Sequence, residues 1–218
     1  MKSTLTQPAS EDNMNARGES LEGRRGRLGG SFEAVPTVLP LARTNAEARL
    51  FLQLQPCSGC GKSKCVFRSA VVTVGDDLGS RYTGVCPQCG VERIYEFRIP
   101  AEVLQPQVNS VQFGADDPSQ LLDPGVWLWY SDICAQKVPE SPAGLGEAER
   151  RACRHALATA LAAVEETLKF IPVSATAVPA SAFISLDGRT AYRREPGRFS
   201  RARLEAVRGH YAEQLTAW

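Results

Sequence analysis

Pro56-Cys57-Ser58-Gly59-Cys60-Gly61 and, further along, Val85-Cys86-Pro87-Gln88-Cys89-Gly90 are two near-identical knuckles, and their reading decides the fold of this chain. A C-x2-C pair places two sulfurs on one tight turn where both reach the same ion. Cys57, Cys60, Cys86 and Cys89 together can therefore close a tetrahedral zinc site. The glycine after each second cysteine fits this geometry, because the turn there favours positive φ and an unhindered backbone N–H directed at sulfur. The redox alternative, in which each pair works as a dithiol, stays open at this stage. Four cysteines around one ion leave no coordination position for water, so the zinc expected here is structural rather than catalytic. Cys65 stands five residues after Cys60 as a competing ligand, but it lacks the knuckle context and reads as a spare or buried thiol.

Between and after the knuckles the pattern is that of strands. Residues 66–74 are rich in β-branched and apolar side chains, Gly75-Asp76-Asp77-Leu78-Gly79 is turn chemistry, and residues 81–85 return the chain to Cys86. Residues 91–99 alternate, with Arg93, Tyr95, Phe97 and Ile99 on one face and Glu92, Ile94, Glu96 and Arg98 on the other. The 25 residues between Cys60 and Cys86 form a long hairpin, longer than the about 15–20 of the usual four-cysteine spacing. With its knuckles and three strands, the stretch 56–99 resembles the zinc-ribbon class. That resemblance implies a metal-stabilised scaffold and no particular role.

Working outward, residues 1–43 are rich in Ser, Gly, Asn, Glu and Arg, with Gly23-Arg24-Arg25-Gly26-Arg27 as the most biased piece. They offer too little apolar surface to offset the cost of ordering, and a disordered N-terminal leader is expected. Order is expected from Thr44, where Thr44-Asn45-Ala46-Glu47 reads as a capping box. Ala46, Leu50, Phe51 and Leu54 then form the apolar face of a short helix that leads into the first knuckle. Residues 44–100 thus make a capping helix plus ribbon.

Residues 101–218 read as helical. After a loop or short helical turn over 101–120, Asp123-Pro124 is a paired helix start, followed by Trp127, Tyr130, Ile133 and Cys134 at helical spacing with Trp129 displaced. Residues 139–144 make a linker. Residues 147–170 form the longest helix, with Cys153, Leu157, Leu161, Val164 and Leu168 as one stripe and alanines at 156, 158, 160, 162 and 163 permitting close approach. A short helix over 186–195 ends at Pro196-Gly197. Ser200 then caps a last helix carrying Leu204, Val207, Tyr211 and Leu215, with Phe199 and Leu204 as a hydrophobic staple. The expected fold class is α+β: a small three-stranded antiparallel zinc ribbon packed with a C-terminal set of about four helices.

At 218 residues, 43% hydrophobic and 22% charged, the chain has the composition of a globular protein. Its apolar runs fall short of the about 18 residues a membrane span needs, and the N-terminus lacks the apolar core of a signal sequence. Seven cysteines, an odd number, suit a reducing compartment, and a cytoplasmic location is expected. The net charge of +1 gives no global pull on nucleic acid, although residues 187–218 hold seven arginines against four acids. His155 and His210 are the only histidines and sit in no nucleophile motif, so no enzyme is expected.

Two further stretches carry a resemblance. The run 191–207, Ala-Tyr-Arg-Arg-Glu-Pro-Gly-Arg-Phe-Ser-Arg-Ala-Arg-Leu-Glu-Ala-Val, with Leu122-Asp123-Pro124-Gly125-Val126-Trp127-Leu128-Trp129, is similar to uncharacterised cytoplasmic proteins of high-GC bacteria. That resemblance lifts an interaction role, adaptor or immunity-like, above the alternatives. The leading expectation is a non-enzymatic protein-interaction module in which the ribbon and helices form a platform for one partner; the Trp127/Trp129/Tyr130 cluster reads first as core, and any exposed remainder of it would favour this reading. The alternative is a nucleic-acid binder using Arg81, Arg93 and Arg98 together with Arg198, Arg201 and the other C-terminal arginines, which requires those groups to share one face.

Overall fold

The computed structural model describes residues 39–75, 77–102, 104 and 110–218. Helix α1 (Asn45–Leu54) starts at the expected cap, where the Thr44 hydroxyl accepts the Glu47 N–H at 3.1 Å. Of its expected apolar face, Leu50 is buried and Phe51 and Leu54 pack against the core, but Ala46 is exposed and Ala48 and Leu52 are buried beside them. The reason lies in Glu47. Instead of reaching back to the cap residue, its carboxylate accepts the Arg43 N–H at 2.7 Å and the Arg43 guanidinium, and this buried pair turns that side of the helix inward.

Strands β1 (Arg68–Val74), β2 (Asp77–Val85) and β3 (Glu92–Arg98) form an antiparallel sheet in the order β1-β2-β3. The hairpin is tighter than the five-residue turn expected. Val74 pairs with Asp77, so only two residues connect the strands, and Leu78 and Gly79 belong to β2. Gly75, at φ +62°, supplies the left-handed residue that a two-residue connection needs. Val66 and Phe67 precede β1 rather than opening it. The alternation read for β3 holds, with Arg93 and Phe97 buried and Glu92 and Ile94 exposed.

Residues 39–43, on the leader side of the boundary expected at Thr44, run beside β3. Leu41 forms a parallel bridge with Arg98, whose N–H donates to the Pro40 carbonyl at 2.9 Å. Residues 1–38, where disorder was expected, lie outside the described residues.

The C-terminal half contains α2 (Pro124–Ala135), α3 (Glu147–Leu168), α4 (Leu186–Arg194) and α5 (Arg201–Ala217), with 3-10 turns at Ala180–Ala182 and Pro196–Phe199. Asp123 caps α2 through the Gly125 and Val126 N–H groups, and Ser200 caps α5 through that of Arg203. Helix α2 buries Trp127, Leu128, Ser131 and Cys134, whereas Tyr130 and Ile133 lie at the margin of the core. In α3 the burial is wider than a single stripe. Leu157 and Val164 are joined by Thr159, Ala160, Ala162, Ala163, Glu166 and Thr167, while Cys153, Leu161 and Leu168 are half-buried. The small residues let α2 and α5 both pack closely on it, so its C-terminal half is enclosed nearly all round.

Two apolar clusters result. One draws Leu50 and Leu52 of α1, Tyr82 of β2 and Phe97 of β3 together with Trp127 and Ala163, so the sheet and the helices share a core. The other joins Leu128, Leu157, Val164, Phe199, Leu204 and Tyr211. Phe199 and Leu204 fall in the same cluster, as a staple at the α5 cap requires. No helix among the described residues is long and apolar enough to cross a membrane.

Candidate metal centre

Each knuckle is built by the same pair of backbone hydrogen bonds. In the first, the Cys57 N–H donates to the Lys62 carbonyl at 2.9 Å and the Gly61 N–H to the Cys57 carbonyl at 2.7 Å. In the second, the Cys86 N–H donates to the Val91 carbonyl and the Gly90 N–H to the Cys86 carbonyl, both at 2.9 Å. Gly61 and Gly90 sit at φ +71° and +74°, the left-handed region where a side chain is disfavoured, which explains the glycine after each second cysteine.

The two knuckles face one another. Cys57, Cys60, Cys86 and Cys89 place all four sulfurs within 4.8 Å of one another, in a cluster positioned to bind a metal. Cys57 Sγ lies 3.6 Å from Cys89 Sγ, and Cys60 Sγ 3.6 Å from Cys86 Sγ, so each close pair crosses from one knuckle to the other. A disulfide would bring two sulfurs to about 2.05 Å, and all seven cysteines are free. Cys57 and Cys86 are buried and Cys89 is exposed, so the cluster is open to solvent on one side.

Electrostatics in the cluster are divided. The Gln88 and Cys89 N–H groups hold the Cys86 thiol down to about 6, and the Gly59 N–H likewise lowers Cys57. The Val91 N–H favours ionised Cys89, but partial desolvation of its sulfur by the cluster and the three neighbouring thiols push it up to about 12. Four like charges this close cannot all form without a cation among them, and the arrangement could hold a metal ion that would supply it. Cys65 stands outside the cluster, with its thiol 3.4 Å from the Val85 carbonyl.

Beneath the knuckles lies a residue whose place the alternation of β3 had marked without its role being seen. Arg93 is 4% exposed on the face it shares with Tyr95 and Phe97. It donates to the Gln55 carbonyl at 2.8 Å, the Ser63 carbonyl at 3.3 Å and the Tyr95 hydroxyl at 3.0 Å. Its guanidinium lies over the Phe67 ring, 5.1 Å from the centroid. A charged side chain on the apolar face of a strand was the signal available in the sequence.

The other arginines singled out have partners within the chain. Arg81 pairs with Glu96 at 2.6 Å on the face opposite Arg93, and Arg98 donates to the Leu39 carbonyl at 2.9 Å. Arg198 grips both carboxylate oxygens of Asp132, at 2.8 and 2.9 Å, and Arg201 donates to the carbonyls of Pro172 and Ala175. The aromatic cluster of α2 is divided. Trp127 is fully buried 4.9 Å from the Phe113 ring, whereas Trp129 is 47% exposed.

Compared with known proteins, the chain matches no family model, no curated protein and no solved structure.

Proposed function

We propose that the four thiolates hold one structural zinc ion and that the chain is a non-enzymatic protein-interaction module of zinc-ribbon type. Zinc suits the donor set: four bonds of about 2.3 Å in a tetrahedron put sulfurs roughly 3.8 Å apart, near the 3.6 Å separations here. Coordination by four cysteines is closed, which supports a scaffold rather than a catalytic ion.

The observation that carries the interaction reading is the free edge of β1. Among the described residues no strand pairs with it, whereas β3 on the opposite side is bordered by residues 39–42. Ser69-Ala70-Val71-Val72-Thr73-Val74 contains no charge and no proline, the devices by which edge strands resist pairing, and Val71 is largely exposed. The Val74–Asp77 pair closes the hairpin, so the N–H and C=O groups of Ala70 and Val72 face β2 and those of Ser69, Val71 and Thr73 face outward. The partner is a protein that adds an extended segment to this edge. Against the nucleic-acid alternative stand Arg93, Arg198 and Arg201, each of which bonds to carbonyl or carboxylate oxygens within the chain.

The test is a pulldown from the native host with the wild type and Val71→Pro, which removes an outward N–H and leaves the β1–β2 ladder intact. A protein retained at raised salt by the wild type and lost from Val71→Pro is the expected result. Recovery of nucleic acid instead, released by salt with a slope of about −0.9 per phosphate neutralised, would replace this reading with the alternative.

A further inference from the structure

We infer that Arg93 is a positioning residue of the metal centre: from the strand leaving the second knuckle it grips the chain on both sides of the first, so the two half-sites stand together and their charge is offset. The inference rests on the zinc reading above. Gln55 lies two residues before Cys57 and Ser63 three residues after Cys60, so the two carbonyls that accept from Arg93 bracket the first knuckle. Arg93 itself follows Cys89 by four residues and is paired across the sheet with Gly84, two residues before Cys86. One side chain therefore ties the entry and exit of one knuckle to the chain that carries the other.

Its charge points the same way. A buried guanidinium ordinarily has a carboxylate beside it, because desolvating a lone cation is costly. Arg93 has no carboxylate partner among the described ion pairs; its acceptors are two carbonyls and a phenol, and two aromatic rings lie under it. Apart from Tyr95, the anion-forming groups that act on it electrostatically are the thiol of Cys65, outside the cluster, and that of Cys57, within it. Four thiolates around a divalent ion carry two net negative charges, and Arg93 is a buried cation that bonds to the chain on both sides of Cys57 and Cys60 and acts on Cys57. Partners that orient metal ligands from outside the coordination sphere are typically worth 10–100-fold in affinity.

The test compares Arg93→Gln, Arg93→Lys and the same-strand control Arg98→Gln in the full chain, with zinc as the probe. Zinc affinity is read by competition with a chromophoric chelator, zinc release is followed as pH falls, and circular dichroism of the zinc-loaded protein checks the fold. Arg93→Gln should lose about 10–100-fold in affinity and release zinc at higher pH, and Arg93→Lys should recover part of the loss through its charge. Arg98→Gln should match the wild type. Arg93→Lys separates the charge from simple packing: because metal release is coupled to folding, lost packing would move the profile of both variants alike, whereas a role for the charge predicts that Arg93→Lys releases zinc at lower pH than Arg93→Gln.

If the wild type holds zinc and Arg93→Gln binds and releases it identically, this inference fails and the zinc reading stands. Should Arg93→Gln not fold, wild-type affinity and release in Arg93→Lys would overturn the inference equally, because that variant lacks the two-carbonyl fork. A wild type that takes up no zinc overturns both.

Discussion

Replacing Glu166 by Gln should cost about 3 kcal/mol of stability, near the low end of the about 3–5 kcal/mol seen when one partner of a buried ion pair is removed. Glu166 is a 3% exposed carboxylate that accepts from Arg43 Nη2 at 2.7 Å and from Lys169 Nζ at 2.6 Å, and Arg43 is itself 5% exposed. The amide can accept one of those donors but must present its own N–H groups to the other, leaving cationic charge uncompensated in the interior. The loss is held to the low end because both cations keep other partners. Arg43 retains Glu47 and the Asp117 carbonyl, and Lys169 retains the carbonyls of Gly114 and Ala115.

For a chain of this size, 3 kcal/mol corresponds to roughly 6–12 °C in melting temperature. The assay is urea unfolding of the purified protein with the slope compared between variants, and the control is Glu147→Gln. The Glu147–Arg151 pair sits on the surface of α3 with side chains 84% and 71% exposed. Its removal should cost no more than about 0.5 kcal/mol. A loss below about 1 kcal/mol for Glu166→Gln, or equal losses at the two sites, would refute the reasoning.

Trp127→Ala should destabilise by about 3–5 kcal/mol because the ring is fully buried against Phe113, while Trp129→Ala should stay within about 1 kcal/mol in urea melts. Cys65→Ser should leave the metal content per chain unchanged, since its thiol lies outside the four-sulfur cluster; a fall in bound metal would make it a ligand. Burial, reinforced by Cys134, pushes the Tyr130 phenol up to about 12, so neutral Tyr130 stabilises the folded state below its unfolded value near 10. That contribution should be lost as pH rises from about 10 to 12, and stability curves of Tyr130→Phe should fall less steeply over that window.

Features written in a few adjacent residues were legible in the sequence, and features formed by distant chain segments were not. The two knuckles, the alternation of β3 and the caps at Thr44, Asp123 and Ser200 each depend on spacings of two to four residues, which local geometry fixes. The Arg43–Glu166 pair joins residues 123 apart, and no local pattern announces it. Asp123 shows both sides of this. Its cap on α2 is local, but its second carboxylate oxygen accepts the Ser185 N–H, 62 residues away, at the start of α4. A side chain added at Gly125 would meet the Gly188 backbone at 2.5 Å, so that crossing also depends on two glycines far apart in sequence. The wide burial of α3 is not legible in the sequence because Ala and Thr do not stand out as an apolar stripe.

Metal analysis of the purified chain, paired with alkylation of its cysteines in the native state, tests the central claim most directly. The account predicts one zinc per chain, with Cys57, Cys60, Cys86 and Cys89 protected from alkylation until the ion is chelated. Substoichiometric zinc with those four thiols freely alkylated, or another metal held at full stoichiometry, would contradict it.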